Sequence, residues 1–361
     1  MKTSILPLAL VSLASGAVSA QEGFKFTPYG TVDVAYASAT NQPTGASKSR
    51  IITGGDAPSI LGISASKELA NQMKVGISYE GNVSSADGKA DLFTRSANFS
   101  ISSSWGTVRA GRQYDPSFLA FAATDPRGVS MNNSGLNAWI NGALSTGANG
   151  TSAVSIFTSN TISWTDKFGG FTPTLAFGTG NQSTGGNSAG NVVSLGLVYA
   201  DGPLTLSGGM VNNTSDDKAT KSDSKGQNLG AAYTIAGWRL AANYLSFKAA
   251  SGTNKADLST TGLGGSYDLG GGLSANAAFY STKNNNTGGG TLKNTTAGLS
   301  YALDKQITVY GQLGMLKASS TGFATANAWV DANTDAEGHP TYTAAAGKNV
   351  QSLYLGTRVS F

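Results

Sequence analysis

Apolar and polar residues alternate along most of the chain. In residues 73–83, Met73, Val75, Ile77, Tyr79 and Val83 fall on one side, and Lys74, Ser78, Glu80 and Asn82 on the other. This is the two-residue period of a β-strand. Phe171, Pro173, Leu175 and Phe177 alternate with Thr172, Thr174 and Ala176 in the same way. About sixteen segments carry the pattern: 26–37, 59–67, 73–83, 92–102, 107–113, 157–165, 171–180, 192–200, 204–211, 226–235, 238–247, 259–268, 272–282, 293–303, 308–318 and 349–361. No helical stripe interrupts them, so the pattern predicts an all-β chain.

The connections alternate too. After even-numbered segments they are tight, as in SSWG, KFGG, DGP and DKQ; after odd-numbered segments they are long and polar, as in NQSTGGNSAG, NNTSDDKATKSDSK and NNNTGGG. Tyr199, Tyr233, Tyr267 and Tyr301 each stand just before a tight turn, 34 residues apart, and Trp164 precedes Tyr199 by 35. The repeating unit is therefore one β-hairpin carrying an aromatic mark at a fixed height.

A propeller or solenoid would turn its apolar faces inward, whereas a transmembrane barrel turns them outward to lipid and lines its lumen with polar groups. Three features select the barrel. Mid-strand Lys, Glu, Asn, Asp and Arg suit a wet lumen, since a dry interior tolerates them only when paired. The hairpins have one short end and one long end, and their aromatics form a girdle. An even number of strands lets the sheet close with no unpaired edge in hydrocarbon. Residues 349–361 then read as the closing strand, with Val359, Leu355 and Leu353 on the lipid face beside Phe361 at the periplasmic interface.

Residues 1–20 have the pattern of a secretory signal: Lys2, an apolar core over 5–11, and small residues at Val18-Ser19-Ala20. The expected mature chain is 21–361, a single barrel. Without Lys2 the formal charge falls from +4 to +3, too weak and diffuse to indicate nucleic acid. The chain has no Cys, which excludes disulfides and thiolate metal sites. Charged residues make up only 12%, half the usual share. No later window reaches the roughly 18 apolar residues of a membrane helix.

The stretches YGTVDVAY (29–36), SILGISASKEL (59–69), FTRSANFSISSSWGTVRAGRQYDP (93–116) and NTISWTDKFGGF (160–171), with Phe361, resemble the general porins of Gram-negative bacteria. WGTVRAGRQYDP is the most specific of them. The resemblance implies a sixteen-stranded homotrimer in the outer membrane, passing small hydrophilic solutes and ions by diffusion, without cofactor or metal. It also implies contact with outer-membrane lipid, and an assembly machinery that reads the C-terminal strand. Residues 114–156 would be the long third loop that folds into the lumen, with a short helix near FLAFAATDP.

By the same resemblance, Asp125 matches an acidic constriction position and Arg95 a wall arginine. Two other wall arginines are replaced by Ile60 and Phe157, and a second acid is lost near Val129, while Arg127 adds a charge to the loop. Parity turns Ile60, Phe157, Arg109 and Asp33 inward, giving a weakly charged constriction. Ile60 and Phe157 read equally well as packing beneath the loop. Around Arg95 the parity conflicts: an inward Arg95 puts Phe99 and Ile101 in the lumen and Ser96, Asn98 and Ser100 outside. Arg112 shares the outward parity of Val108 and Ala110, which reads as an intersubunit contact or a local bulge.

Other signals are weaker. DANTDAEGH (331–339) spaces its acids like a calcium loop, but Ala336 and Tyr342 stand where Gly and Glu are required. Trp139 and Trp329 read as packing or sugar-stacking residues. The single histidine, His339, has no evident nucleophile or orienting acid, so no enzyme is expected. The rival readings are a substrate-specific channel for a sugar or weakly polar solute, and a plugged surface barrel.

Overall fold

The computed structural model describes residues 23–40, 47–69, 72–140, 154–180, 191–217, 220–251, 254–286, 289–319 and 349–361. The signal-like leader 1–20, Trp329, the acidic stretch 331–339 and His339 lie outside them. The strands are β1 Lys25–Ala39, β2 Lys48–Thr53, β3 Ile60–Glu68, β4 Lys74–Val83, β5 Ala90–Ser103, β6 Gly106–Tyr114, β7 Phe157–Thr165, β8 Phe171–Gly178 and β9 Asn191–Asp201. They continue as β10 Leu204–Asp217, β11 Thr220–Ile235, β12 Trp238–Ser251, β13 Asn254–Gly270, β14 Leu273–Asn284, β15 Thr291–Ala302, β16 Ile307–Ala318 and β17 Asn349–Ser360. A short helix, α1 Pro116–Ala123, follows β6, and residues 135–140 are helical as well.

β1 pairs antiparallel with both β2 and β3, each strand from β3 onward pairs antiparallel with the next, and β17 returns to β1 over Thr31↔Ser360 through Ala39↔Ser352. The result is a closed antiparallel barrel of sixteen staves built from 17 strand segments. The extra segment arises because one stave is broken. β1 pairs with β3 through its first half (Lys25↔Ser66 to Thr31↔Ile60) and with β2 through its second (Val34↔Thr53 to Ala39↔Lys48). The interruption, residues 54–59, begins at Gly54 with φ 79° and includes Pro58, which has no N–H to give a ladder.

The burial pattern is inverted relative to a soluble protein. Leu229, Leu263 and Leu313 are 67%, 62% and 62% exposed, while the neighbouring Asn228, Gly262 and Gln312 are buried. Apolar side chains face outward and polar ones inward, the arrangement of a membrane-spanning barrel. Among the described residues no helix is long and apolar enough to cross a membrane. Trp164, Tyr199, Tyr233, Tyr267 and Tyr301 lie at the short-turn end, joined by Phe171, which is 4.6 Å from Tyr199 ring to ring, and Trp238, 4.4 Å from Tyr267.

Three sequence expectations need correction. The stretch 212–225, read as a long polar loop, is mostly ladder, with β10 and β11 paired out to Asp217↔Thr220; two polar strands extending beyond the apolar belt need no hydrophobic alternation. β2, with exposed Arg50 and Ile51, was not expected at all. In β5 the parity conflict resolves through a bulge. Register runs Glu80↔Ser96 and then jumps to Asn82↔Asp91, with Phe93 at φ 64°. Arg95 and Ser96 both end buried, Phe99 points outward, and Asn98 points inward.

Candidate pore constriction

After β6 the chain turns into the barrel. Asp115 caps α1, its Oδ1 accepting from the Phe118 N–H at 3.1 Å and from the Ser194 hydroxyl at 3.0 Å. Pro116 follows at the first helical position, where its missing N–H costs nothing. Three inward glycines of adjacent staves form the floor under α1. A Cβ on Gly209 would lie 2.8 Å from Ser117 Cα, and Cβ atoms on Gly196 and Gly230 would collide with the Pro116 carbonyl and the Thr124 hydroxyl. Asn228 reaches from β11 to the Ser117 carbonyl at 3.0 Å.

The far end of α1 is closed by Arg239, whose guanidinium donates to the Ala123 and Asp125 carbonyls at 3.0 and 3.1 Å, satisfying carbonyls a helix end leaves open. Beyond it Asp125 is fully buried. Its carboxylate accepts from the backbone N–H groups of Arg127 (3.1 Å), Val129 (2.8 Å) and Gly135 (3.1 Å). Tyr280 (3.1 Å) and Asn243 (3.3 Å) add donors from the barrel wall. Burial pushes the Asp125 carboxyl above its ordinary range, against the pull of these donors. Asp115, also buried, is pushed up to about 7.

A second clamp holds residues 130–133 to the broken stave. The Met131 N–H donates to the Asp56 carbonyl at 2.7 Å, and Asn132 Nδ2 to the Gly54 and Gly55 carbonyls at 3.0 and 2.7 Å. The Asp56 carboxylate is shared by Ser130 (2.9 Å), Gln312 (2.6 Å) and Arg358 (2.8 Å). Between the clamps lies an aromatic cluster in which fully buried Trp139 meets Phe118 and Phe247 edge-on, each at 5.2 Å. Trp139 is a packing residue.

The expected site residues are therefore placed as follows. Arg95 is 4% exposed and fully engaged, with Glu80 at 2.7 Å, Asn82 at 3.1 Å and the Tyr114 hydroxyl at 2.6 Å. Phe157 is buried beneath the loop, 5.0 Å from the Arg95 guanidinium. Ile60 is half-buried on the inward face, opposite Thr31 and Asn82. Arg127 lies across the Asn132 carbonyl (2.6 Å) and Asn276 (3.0 Å). Asp33 faces inward, but its carboxylate is wrapped by the N–H groups of Gly55, Asp56 and Ala57 at 2.8–3.1 Å and by the Tyr310 hydroxyl at 2.5 Å.

Arg112 stands beside the β6–β7 register shift at Gly111/Gln113. It donates to the Thr94 carbonyl at 2.5 Å and to Ser159 at 2.7 Å. Arg95 is thus compensated by the Glu80 carboxylate, and Asp125 is turned away from the lumen into a cage of neutral donors. Arg109 is different: it lines a cavity of about 440 Å³ between α1 and the β3–β6 wall, together with Lys74, Glu80, Leu119 and a row of serines. Arg239, Tyr280, Asp56 and Arg358 were missed in the sequence. For Arg239, Tyr280 and Arg358 the only signal is a charged or hydroxylated residue at inward parity, which many lumen positions share; Asp56, in the interruption between β2 and β3, has no strand parity at all.

A profile of Gram-negative porins matches residues 8–321. The chain belongs to that family. It is an outer-membrane porin, a β-barrel that forms a channel. Outer membrane porin protein 32 of Delftia acidovorans is 29% identical over 336 residues, covering 88% of this chain and 90% of the relative. An anion-selective porin from Comamonas acidovorans superposes with a TM-score of 0.81 at 24% identity, over 94% of this chain and 100% of that one. A trimer form of in-vitro folded OmpT from Vibrio cholerae gives 0.67 at 14% identity, over 94% and 100%. These likenesses fit the barrel and its closure.

Proposed function

We propose that this porin passes small hydrophilic solutes and ions by passive diffusion, with a slight preference for anions. The loop over residues 114–156, whose residues 141–153 lie outside the described ones, acts as the sieve through its wall-bound part, 115–140. The observation that carries the reading is the fate of the lumenal charges. Asp33, Glu80, Asp56 and Asp125 are each held by several donors, whereas Arg109 and Lys74 have no acid partner among the described residues. The remaining field is positive and modest, and a ring of fixed charge selects ions by its sign. The anion selectivity named for the Comamonas acidovorans relative agrees in sign.

Residues 1–20 serve as the export signal in this reading, and the working unit is a homotrimer, the form named for the Vibrio cholerae relative. Arg112 lies near the subunit contact, and the β17 strand with Phe361 carries the assembly signal. The test is single-channel current of the purified protein in a planar bilayer under a salt gradient. Three equal current steps and a small reversal potential of anionic sign are expected. A strongly cationic reversal potential overturns the charge assignment, and silence from folded protein overturns the open pore.

A further inference from the structure

The cavity between α1 and the β3–β6 wall has an unusual composition for a water-filled passage. Its volume, about 440 Å³, falls in the roughly 300–1,000 Å³ range of small-molecule sites. One wall is a hydroxyl surface from β3 to β5 that includes Ser78 and Ser100. Arg109 lies opposite Ser100, and Ser100 opposite Gly76, with Lys74 two residues along that strand. The two cations therefore flank the β5 serines, their Cα atoms about 12 Å apart across two strand spacings and two residues of offset. Gly76 leaves the space between them open, since a Cβ there would come within 2.9 Å of Ser100 Oγ.

Neither cation forms an ion pair among the described residues. The cavity's acid, Glu80, is neutralised by Arg95 at 2.7 Å and by the Tyr29 hydroxyl at 3.1 Å, so it does not oppose an incoming anion. On the opposite side α1 presents Leu119, 46% exposed although its helix is otherwise largely buried. The Tyr29 ring lines the same space. Leu119 and the Tyr29 ring thus give the passage an apolar surface beside its two cations. It suits a solute with one charged end and one apolar end.

We infer that this cavity is a subsite for amphipathic monocarboxylates, with the carboxylate taken by Arg109 and Lys74 and the apolar portion laid against Leu119 and Tyr29. The inference rests on reading the barrel as an open pore. Leu119 is its specificity residue, and Arg109 the principal anion contact, because its planar fork matches a carboxylate.

The test is interruption of chloride current through the reconstituted porin by benzoate, acetate and benzamide. Benzoate blocks at a concentration about tenfold below acetate, and benzamide does not block, if the apolar contact and the charge each contribute about 1.4 kcal/mol. Arg109→Gln raises the half-blocking benzoate concentration about tenfold, as loss of one charge-assisted contact does, and Arg109→Lys recovers part of it. Leu119→Ser brings benzoate and acetate together. Lys89→Gln, which removes an exposed cation paired with Asp87 outside the cavity, leaves the block unchanged. Equal block by benzamide, or a benzoate preference that survives both Leu119→Ser and Arg109→Gln, overturns the subsite. Absence of chloride current in the unmodified protein instead overturns the pore itself.

Discussion

At the scale of single residues, the lumen is governed by how carboxylates are held rather than by how many there are. Parity in the sequence turns Asp33 inward, and the structure agrees, yet its carboxylate faces three backbone N–H groups of the broken stave. Asp125 is the sharper case. Replacing it with Asn puts an NH2 where the loop offers only donors, so Asp125→Asn should cost about 1–3 kcal/mol, the penalty of stranding buried donors. The expected signature is a lower unfolding midpoint with noisier open-channel current, because the loop loses its tie to Asn243 and Tyr280. Asp115 gives a pH dependence. Its folded pKa, about 7, lies above the unfolded value, so its contribution is full below about pH 4 and is lost as pH rises through 7. Urea midpoints should therefore fall between pH 5 and pH 8, and Asp115→Asn should flatten that slope. Which acid is sequestered was not legible, because beside the local Arg127 and Val129 N–H groups the donors that close the cage come from Gly135, Asn243 and Tyr280, 10 to 155 positions away.

At the scale of elements, strand positions were legible nearly throughout. Residues 157–165 coincide with β7, and most other segments differ from their strands by one to three residues at an end. Alternation is local and repeated, so it survives without tertiary information. What it could not show was wherever the ladder stops being regular: the β5 bulge, the broken stave, and the polar extension of β10 and β11. The loop's seat was equally hidden. Gly196, Gly209 and Gly230 read as unremarkable strand glycines, and only their lateral alignment under α1 gives them a role. Gly230→Val tests it directly, because its side chain meets Thr124 and the Ser207 hydroxyl. Overpacking of this kind costs about 1–3 kcal/mol. Displacement of α1 toward the lumen should lower single-channel conductance, while a lipid-facing control at Gly208, whose Cβ would approach only Leu229 within 3.2 Å, should leave conductance unchanged.

At the scale of the whole molecule, the barrel depends on one seam between residues far apart in sequence. β17 meets β1 over nine aligned positions, from Thr31↔Ser360 to Ala39↔Ser352. Phe361 completes it through reciprocal backbone bonds with Gly30, N–H to carbonyl in both directions at 3.0 Å. Closing so long a loop costs entropy before any pairing repays it, so the seam is the step most sensitive to a local fault. Gly30 is where that fault is easiest to place. A Cβ there would stand 2.6 Å from the Phe361 ring and 2.8 Å from the Ile60 carbonyl, pressing on β17 and β3 together. Gly30→Val should therefore impair closure more than Phe361→Ala, which keeps both backbone bonds and removes only a ring that is 56% exposed. Refolding into detergent, followed by the shift between folded and heat-denatured mobility on a gel, separates the two. A several-fold lower folded yield for Gly30→Val, with Phe361→Ala near the unmodified protein in vitro, places the seam's weight on backbone fit. The reverse order would place it on the Phe361 ring and its interfacial anchoring.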